Sequence, residues 1–261
     1  MEVKNKKIAF FDSGVGGLTV FAKMKKRLPN EDYLYFGDLK NSPYGAKDAE
    51  TLIGISKKIF DYFKKRDVKA VIMACNTTSA TAYYPLKDKY DFKIYPIIQS
   101  CAKSISELNV SRVCVFATDA TVKTHAYKNY INKYNPTINV LEIACPTWVK
   151  IVEENRVKEC ADEVKIYVDK IGSFNPDKVI LGCTHFPYLK EEMSKYIPNE
   201  KIIDPADIFV EYIISDLTEN SLLKGGFNES EEILVSANEH AFAHAAGMFY
   251  KLQKIPKKIE I

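Results

Sequence analysis

A short apolar run that stops at a cysteine occurs twice in this sequence and decides its fold: VILGCTH at residues 179–185 and VIMACNT at residues 71–77. Apolar runs of this length, rich in Val and Ile, are typical of strands that are buried on both faces of a parallel sheet. In open α/β sheets, ligands bind just outside the carboxyl ends of the strands. The sequence therefore predicts that Cys75 and Cys183 lie at strand ends, where such proteins bind their ligands.

Strand and helix patterns alternate along the chain with short connections. Val113 follows Ile8 by 105 positions and Val179 follows Val71 by 108, which indicates two copies of one β-α-β-α-β unit. This alternation predicts right-handed crossovers and mostly parallel sheets. The same patterns predict a strand over 93–98, helices over 78–90, 121–134 and 239–251, and further helices between 147 and 171.

We therefore expect an α/β fold of two pseudo-symmetric lobes, each a mostly parallel sheet flanked by helices, with the active site in the cleft between them. The N-terminal lobe would comprise residues 1–97 and the second lobe residues 98–206. Residues 207–261 would return to the N-terminal lobe and complete it. A chain of 261 residues is long enough to bury a sizeable core in such an arrangement.

Composition and charge argue against several classes of protein. The net charge of +3 is spread as Lys mixed with Glu and Asp, a pattern that does not favour nucleic-acid binding. No apolar run reaches the roughly 18 residues of a membrane span, and the N-terminus leads straight into the first strand, so neither a membrane anchor nor a signal peptide is expected. Six cysteines without a C-x-x-C pair predict free thiols in a reducing cytoplasm and no metal site.

Both strand-end cysteines are followed by hydrogen-bonding residues. Holding a thiol of pKa near 8.5 as thiolate at pH 7.5 costs about 1.4 kcal/mol. Asn76 and Thr77 in one copy, Thr184 and His185 in the other, and helices beginning directly after each loop could offset that cost. A strand-end cysteine can also be a buried small apolar residue, but the duplicated setting favours chemistry. His185 could relay a proton to its cysteine or simply cap its loop.

A glycine-rich turn, DSGVGG at residues 12–17, follows the first strand and precedes a helix. Such turns bind anions through exposed N–H groups. A dinucleotide motif would need a third glycine where Thr19 stands, although Asp38 would supply its acidic residue, so nucleotide binding stays an alternative. In the other interpretation Asp12 and Ser13 point into the cleft. There the carboxylate could accept from a substrate ammonium or a cysteine, while Ser13 and the N–H groups hold a carboxylate.

The remaining cysteines and histidines lack such settings. Cys114 lies within a predicted strand and Cys160 within a predicted helix, so both belong to the core, whereas Cys145 lies at a strand end and could line the cleft. His240 and His244 have the i, i+4 spacing of some zinc sites, but without a third ligand this spacing indicates an exposed helix face.

Five linked motifs resemble those of the glutamate racemases: FDSGVGGLTV at 11–20, YFGD at 35–38, PYG at 43–45, ACNT at 74–77 and LGCTHFP at 181–187. They occur in that family's order and spacing. The resemblance implies a cofactor-independent racemase that interconverts L- and D-glutamate and supplies D-glutamate for bacterial peptidoglycan. It also implies a cytoplasmic homodimer.

By the family pattern, Cys75 and Cys183 are the two acid/base residues, and Cys75 acts on the D enantiomer. The resemblance assigns substrate binding to four pairs of residues: Asp12–Ser13, Tyr44–Gly45, Asn76–Thr77 and Thr184–His185. It makes Asp12, His185 and one of Glu153 or Glu154 candidates for assisting proton transfer.

The sequence departs from the family pattern at the loop 39–42, at the threonine turn 117–121 and at Asn155, where glycine is usual. These departures concern substrate contacts. Aspartate racemases share the architecture and the twin cysteines but usually carry Glu where His185 stands, so racemisation of aspartate is the alternative substrate assignment.

Overall fold

The computed structural model describes residues 2–226 and 230–261. Ten strands lie within these residues. In chain order they are β1 (Ile8–Asp12), β2 (Tyr33–Gly37), β3 (Ala70–Met73), β4 (Lys93–Pro96), β5 (Arg112–Ala117), β6 (Asn139–Ala144), β7 (Lys178–Gly182), β8 (Ile202–Ile203), β9 (Glu231–Val235) and β10 (Lys257–Lys258).

The same residues form eleven α-helices. They are α1 (Leu18–Arg27), α2 (Ala49–Lys65), α3 (Asn76–Leu86), α4 (Ile97–Ser106), α5 (Asp119–Lys123), α6 (Ala126–Tyr134), α7 (Trp148–Glu153), α8 (Ala161–Asp169), α9 (Lys190–Met193), α10 (Pro205–Glu219) and α11 (Glu239–Ala246). None of the helices in the described part of the chain has the length and apolar character needed to cross a bilayer.

The strands form two parallel sheets, and the two sheets share one internal order. The first sheet runs β10-β9-β2-β1-β3-β4 and the second β6-β5-β7-β8, so β2-β1-β3-β4 and β6-β5-β7-β8 correspond strand for strand. The pairings that join them are parallel throughout the described chain. The predicted α/β fold with two pseudo-symmetric lobes is therefore confirmed.

The C-terminal part of the chain contacts the N-terminal sheet. β9 pairs with β2 in parallel, from Tyr33 opposite Glu231 to Gly37 opposite Val235, and β10 adds to the far side of β9. Helix α10 instead packs on α1 and α4. The domain boundaries at residues 97 and 206 stay a prediction.

Burial explains why the strand sequences are so apolar. Every residue of β1, β2 and β3 is buried, as expected for strands with helices on both faces. In the second lobe the centroid of the Trp148 ring lies 5.0 Å from that of Phe116 and 4.9 Å from that of Phe186. This aromatic group supports the segment that follows β7 and carries Cys183.

Several predicted boundaries are wrong. Helix α3 begins at Asn76, immediately after Cys75, and not at residue 78. The strand predicted over 93–98 ends at Pro96, which has no N–H for a sheet, and residues 97–106 form α4, which was not predicted. His125, at a φ of 52°, interrupts the helix predicted over 121–134. The last helix ends at Ala246, before Gly247.

A buried ion pair lies at the amino ends of the N-terminal strands, where Glu31 precedes β2 and Lys69 precedes β3. The Lys69 ammonium, whose side chain is fully buried, donates to Glu31 at 2.5 Å and to the carbonyls of Lys4 and Leu222, each at 2.8 Å. Glu31 also accepts from the Lys224 N–H at 2.7 Å. The pair therefore joins the start of the chain, the start of β3 and the segment after α10.

Lys69→Ala is expected to lower the free energy of unfolding by about 3–5 kcal/mol, because it leaves the buried Glu31 carboxylate without the cation that it pairs with. Lys57→Ala, which removes an exposed pair with Asp61, is the matched control and is expected to change it by less than about 0.5 kcal/mol. Urea denaturation followed by circular dichroism measures both. Equal losses in the two variants would contradict this account of the buried pair.

Candidate active site

A single cavity receives the carboxyl ends of strands from both sheets. Ser13 follows β1 and Cys75 follows β3, while Thr118, Pro146 and Cys183 follow β5, β6 and β7, and all five line the cavity. Its volume is about 120 Å³, well below the roughly 300–1,000 Å³ of pockets for drug-sized ligands. The structure thus brings both strand-end cysteines to one small space between the lobes.

Most of the residues predicted for the site line this cavity. They are Ser13, Tyr44, Gly45, Cys75, Asn76, Thr77, Cys183, Thr184 and His185. Asp12, which was expected to point into the cleft, does not line it.

Asp12 lies behind the cavity wall and is fully buried. One carboxylate oxygen accepts from the Gly14 N–H at 2.9 Å, and the other accepts from the Thr184 hydroxyl at 3.5 Å. Burial raises the pKa of the Asp12 carboxyl above its usual value, and the nearby His185 charge opposes that rise. The turn after β1 folds over the carboxylate, so its contacts are with backbone and with the opposite lobe.

Cys75 lies at the N-cap of α3, with its sulfur 4.0 Å from the Ser13 hydroxyl oxygen. Burial raises the pKa of the Cys75 thiol to about 12, and the negative charge of Asp12 adds to that rise. The N–H and hydroxyl of Thr78 act in the opposite direction. The setting of this cysteine therefore favours the protonated thiol.

Cys183 has a different neighbour. Its sulfur lies 3.7 Å from His185 Nδ1, and His185 Nε2 lies 3.1 Å from a carboxylate oxygen of Glu153. Burial by itself would lower the pKa of His185, but the contacts with Cys183 and Glu153 outweigh it and raise that pKa to about 10. A protonated imidazole therefore lies between the second sulfur and a carboxylate.

The helix expected directly after the second cysteine loop is not an α-helix. A short 3-10 helix, Phe186–Leu189, follows Cys183, with Pro187 in its first turn. It is too short to supply a helix dipole like that of α3, which spans 11 residues. The two sulfurs consequently have different neighbours, the N-terminus of α3 for Cys75 and the His185 imidazole for Cys183.

Glu153, the last residue of α7, and Glu154, which follows it, have different partners in the structure. Glu153 lines the cavity and contacts His185. Glu154 instead accepts from Arg156 at 2.8 Å and lies 3.6 Å from the Lys150 ammonium. Of the pair, only Glu153 is placed to influence the histidine.

Hydroxyl and amide groups from both lobes meet beside the cavity. The Thr77 and Thr118 hydroxyl oxygens are 3.0 Å apart, and Thr118 is 3.0 Å from the hydroxyl of Thr121. The side-chain amide oxygen of Asn76 accepts a hydrogen bond from the Tyr127 hydroxyl at 2.7 Å. The sequence motifs do not single out Thr118 or Tyr127, although Thr118 lies in the turn 117–121, where the sequence departs from the family pattern.

Two glycines allow the opposing loops to approach closely. A Cβ on Gly16 would lie 2.3 Å from the Thr184 hydroxyl oxygen and 2.7 Å from a carbon of the His185 ring. A Cβ on Gly45 would lie 3.0 Å from the Thr118 Cβ. Any larger residue at position 16 would force the β1 turn away from the loop of Cys183.

Asp38, the acidic residue of the nucleotide-binding alternative, already accepts hydrogen bonds within the protein. Its carboxylate accepts from the Tyr44 hydroxyl at 2.5 Å and from the Asn41 amide at 2.8 Å, and it is buried. These bonds anchor the turn that brings Tyr44 to the cavity. Because Asp38 is committed to them, the geometry does not favour its use as a ribose ligand.

The remaining candidates lie outside the cavity. Cys145 is fully buried and donates to the Ile143 carbonyl at 3.6 Å, so the expectation that it could line the cleft is wrong. Cys101, Cys114 and Cys160 are also buried. His240 and His244 lie on the exposed surface of α11. Among residues 2–226 and 230–261, no three His, Cys, Asp or Glu side chains form a metal-binding group.

The fold and the site define a two-lobed α/β protein that holds two thiols and a charged histidine in one cavity between its lobes. The family described as Asp/Glu/hydantoin racemase matches residues 16–213 of this chain. The chain belongs to that racemase family.

Glutamate racemases are prominent among the similar proteins. The chain is 36% identical to the glutamate racemase of Fusobacterium nucleatum, over 98% of this chain and 100% of that protein. It is 33% identical to that of Carboxydothermus hydrogenoformans, over 96% of this chain and 95% of that protein. The crystal structure of glutamate racemase from Francisella tularensis in complex with D-glutamate superposes with a TM-score of 0.93 at 32% identity, covering 98% of each chain.

The different surroundings of the two cavity thiols predict their reactivity toward iodoacetamide at pH 7.5. Alkylation requires the thiolate, and burial raises the pKa of Cys75 to about 12, so Cys183, whose sulfur lies 3.7 Å from His185 Nδ1, is expected to react at least about tenfold faster than Cys75. Peptide mapping by mass spectrometry measures both rates. His185→Asn is expected to slow the labelling of Cys183.

The four other cysteines are internal controls. Cys75 and Cys183 are 6% and 7% exposed, whereas Cys101, Cys114, Cys145 and Cys160 are 0% exposed and should stay unlabelled in the native protein. Faster labelling of Cys75 than of Cys183 would contradict the assigned electrostatics.

Proposed function

We propose that this protein interconverts L- and D-glutamate and that Cys75 and Cys183 are the two bases that carry the α-proton. The observation that carries the proposal is the presence of both thiols on the wall of one cavity of about 120 Å³. The similarity to glutamate racemases over nearly the whole chain supports glutamate as the substrate.

Inverting an α-carbon requires removal of a proton from one face and delivery of a proton to the other. A single base would have to move around the carbanion, whereas two bases on opposing walls of the cavity can stay in place. One sulfur must start as thiolate and its counterpart as thiol, so that the first accepts the proton that the carbon loses and the second donates the proton that it gains. After one turnover the proton has moved from Cys75 to Cys183 or in the reverse direction.

The electrostatics support one starting state. We assign the thiolate to Cys183, whose sulfur lies 3.7 Å from His185 Nδ1, and the thiol to Cys75, whose pKa is raised by burial and by the charge of Asp12. In that state Cys183 removes the α-proton of L-glutamate and Cys75 protonates the opposite face to give D-glutamate. The reverse reaction starts from the Cys75 thiolate, which the N-terminus of α3 and Thr78 stabilise.

The α-carboxylate gains negative charge as the proton leaves. Hydrogen-bond donors that are fixed around it stabilise this charge, and a small closed cavity strengthens those bonds by excluding water. Ser13, Asn76 and Thr77 are the proposed donors, because their polar side chains line the cavity, whereas the Thr184 hydroxyl donates to Asp12. Tyr44 and Gly45 would close one side of it.

Asp12 is assigned a supporting part in this scheme. Its bond to the Thr184 hydroxyl ties the turn after β1 to the loop of Cys183, and its charge raises the pKa of Cys75. Glu153 is assigned the part of holding the imidazole charge, and it is the one of the two candidate glutamates that contacts His185.

The wider role rests on the family resemblance. We propose that the D-glutamate serves peptidoglycan synthesis and that the protein acts as a cytoplasmic homodimer. Analytical ultracentrifugation of the purified protein tests the oligomeric state.

Cys75→Ser and Cys183→Ser are each expected to lower the rate of racemisation by at least about 10²-fold, because either change removes one of two required proton carriers. Proton NMR in D₂O, started separately from L- and D-glutamate, measures both inversion and α-proton exchange. In the wild type, deuterium should appear in the product enantiomer first, because each sulfur serves only one face.

Cys160→Ser is the control for a buried cysteine outside the cavity and should racemise glutamate at the wild-type rate. Early deuterium in the recovered substrate enantiomer would favour one base over two. Exchange of aspartate and not of glutamate would select the alternative substrate.

Glu153→Gln is expected to shift the alkaline limit of kcat/KM to lower pH. The wild-type His185 pKa is raised, so its imidazolium is fully present below pH 6.5 and is lost as the pH rises through about 10. Burial lowers the His185 pKa and the Glu153 carboxylate raises it. Without that carboxylate the pKa should therefore fall.

Glu154→Gln is the matched control, since Glu154 bonds to Arg156 and not to His185. Its pH profile should coincide with that of the wild type. An unshifted profile in Glu153→Gln, or an equal shift in both variants, would remove Glu153 from the scheme.

A further inference from the structure

Tyr127 is a fully buried residue of the second lobe that the two-base scheme does not use. It lies in the first turn of α6, and its hydroxyl donates to the side-chain carbonyl oxygen of Asn76 at 2.7 Å. Asn76 is the first residue of α3 and follows Cys75 directly. The bond therefore runs from one lobe to the residue beside a thiol of the other lobe.

The bond occupies only one end of the Asn76 amide. Within residues 2–226 and 230–261, the amide nitrogen Nδ2 has no hydrogen-bond partner, and Asn76 lines the cavity. An amide presents its acceptor and its two donors on opposite sides. With the oxygen held by Tyr127, the NH₂ group is left for whatever occupies the cavity.

We propose that Tyr127 is a positioning residue that fixes the orientation of the Asn76 amide, so that Asn76 offers a donor and not an acceptor to a carboxylate of the substrate. This inference rests on the proposed function. Without the hydroxyl, the amide can rotate and present its oxygen to the carboxylate, which would replace an attractive contact with a repulsive one.

The ring of Tyr127 has a separate structural contact. A Cβ on Gly182 would lie 3.0 Å from the Tyr127 Cε2, so the ring packs against the strand end that precedes Cys183. The ring thus packs against Gly182, which precedes Cys183, and the hydroxyl bonds to Asn76, which follows Cys75. Tyr127→Phe keeps the ring contact and removes only the hydroxyl, which makes it the informative variant.

Tyr127→Phe is expected to raise KM for glutamate about tenfold, the equivalent of one well-placed hydrogen bond. In an Asn76→Ala background the same change should alter KM by less than about twofold, because Tyr127 acts through Asn76. Steady-state racemisation kinetics of the wild type, both single variants and the double variant measure this coupling. If Tyr127 had only a structural role, the factors by which the two single changes raise KM would multiply in the double variant.

Tyr33→Phe is the matched control. Tyr33 is also fully buried and donates its hydroxyl to a carbonyl oxygen, that of Leu28 at 2.6 Å, but it does not line the cavity. Its KM should equal that of the wild type even if thermal unfolding shows the same loss of stability as in Tyr127→Phe.

Asn76→Asp provides a test that does not require Tyr127→Phe to fold. It keeps an acceptor for the Tyr127 hydroxyl but loses the NH₂ donor, so KM should rise at least as much as in Asn76→Ala. A wild-type KM in Asn76→Asp, or in a folded Tyr127→Phe, would overturn the role of Tyr127 while leaving glutamate racemisation intact. An inactive wild type would overturn the proposed function and this inference together.

Discussion

The close approach of loops from two different sheets is the constraint on which the rest of this structure depends. The turn after β1 meets the loop after β7 so tightly that a Cβ on Gly16 would lie 2.3 Å from Thr184, and the turn at Gly45 meets Thr118 in the same way. These contacts hold the carboxyl ends of both sheets around one space of about 120 Å³. A wider separation would leave two strand-end cysteines in two unrelated clefts.

The symmetry of the fold is not matched by symmetry of charge. Corresponding strands, β3 and β7, deliver Cys75 and Cys183, yet one sulfur lies at the N-terminus of an α-helix near a buried Asp12 and the other lies beside His185. Two thiols in matched surroundings would have the same preferred protonation state. The proposed two-base reaction needs one thiol and one thiolate at the same time, and different surroundings allow the two sulfurs to differ in protonation state.

Much of the fold follows from local patterns. Buried strands such as β3 and β7 have apolar sequences because both of their faces are covered, so their positions and the order of the two units could be predicted. Helix α4 could not, because Ile97 and Ile98 continue an apolar run and only Pro96 marks the change of structure. The break at His125 likewise depends on a backbone conformation that the helical pattern conceals.

The sequence by itself determined the α/β class, the repetition of a unit and the two cysteines at strand ends, because these depend on hydrophobic periodicity and on residues adjacent in the chain. Only the tertiary structure decided that Asp12 lies behind the cavity wall, that Glu153 and not Glu154 contacts His185, and that Tyr127 bonds to Asn76. Each of these depends on a contact between residues at least 32 positions apart. Side-chain direction and distance across a cleft arise from packing between elements, which no local pattern specifies.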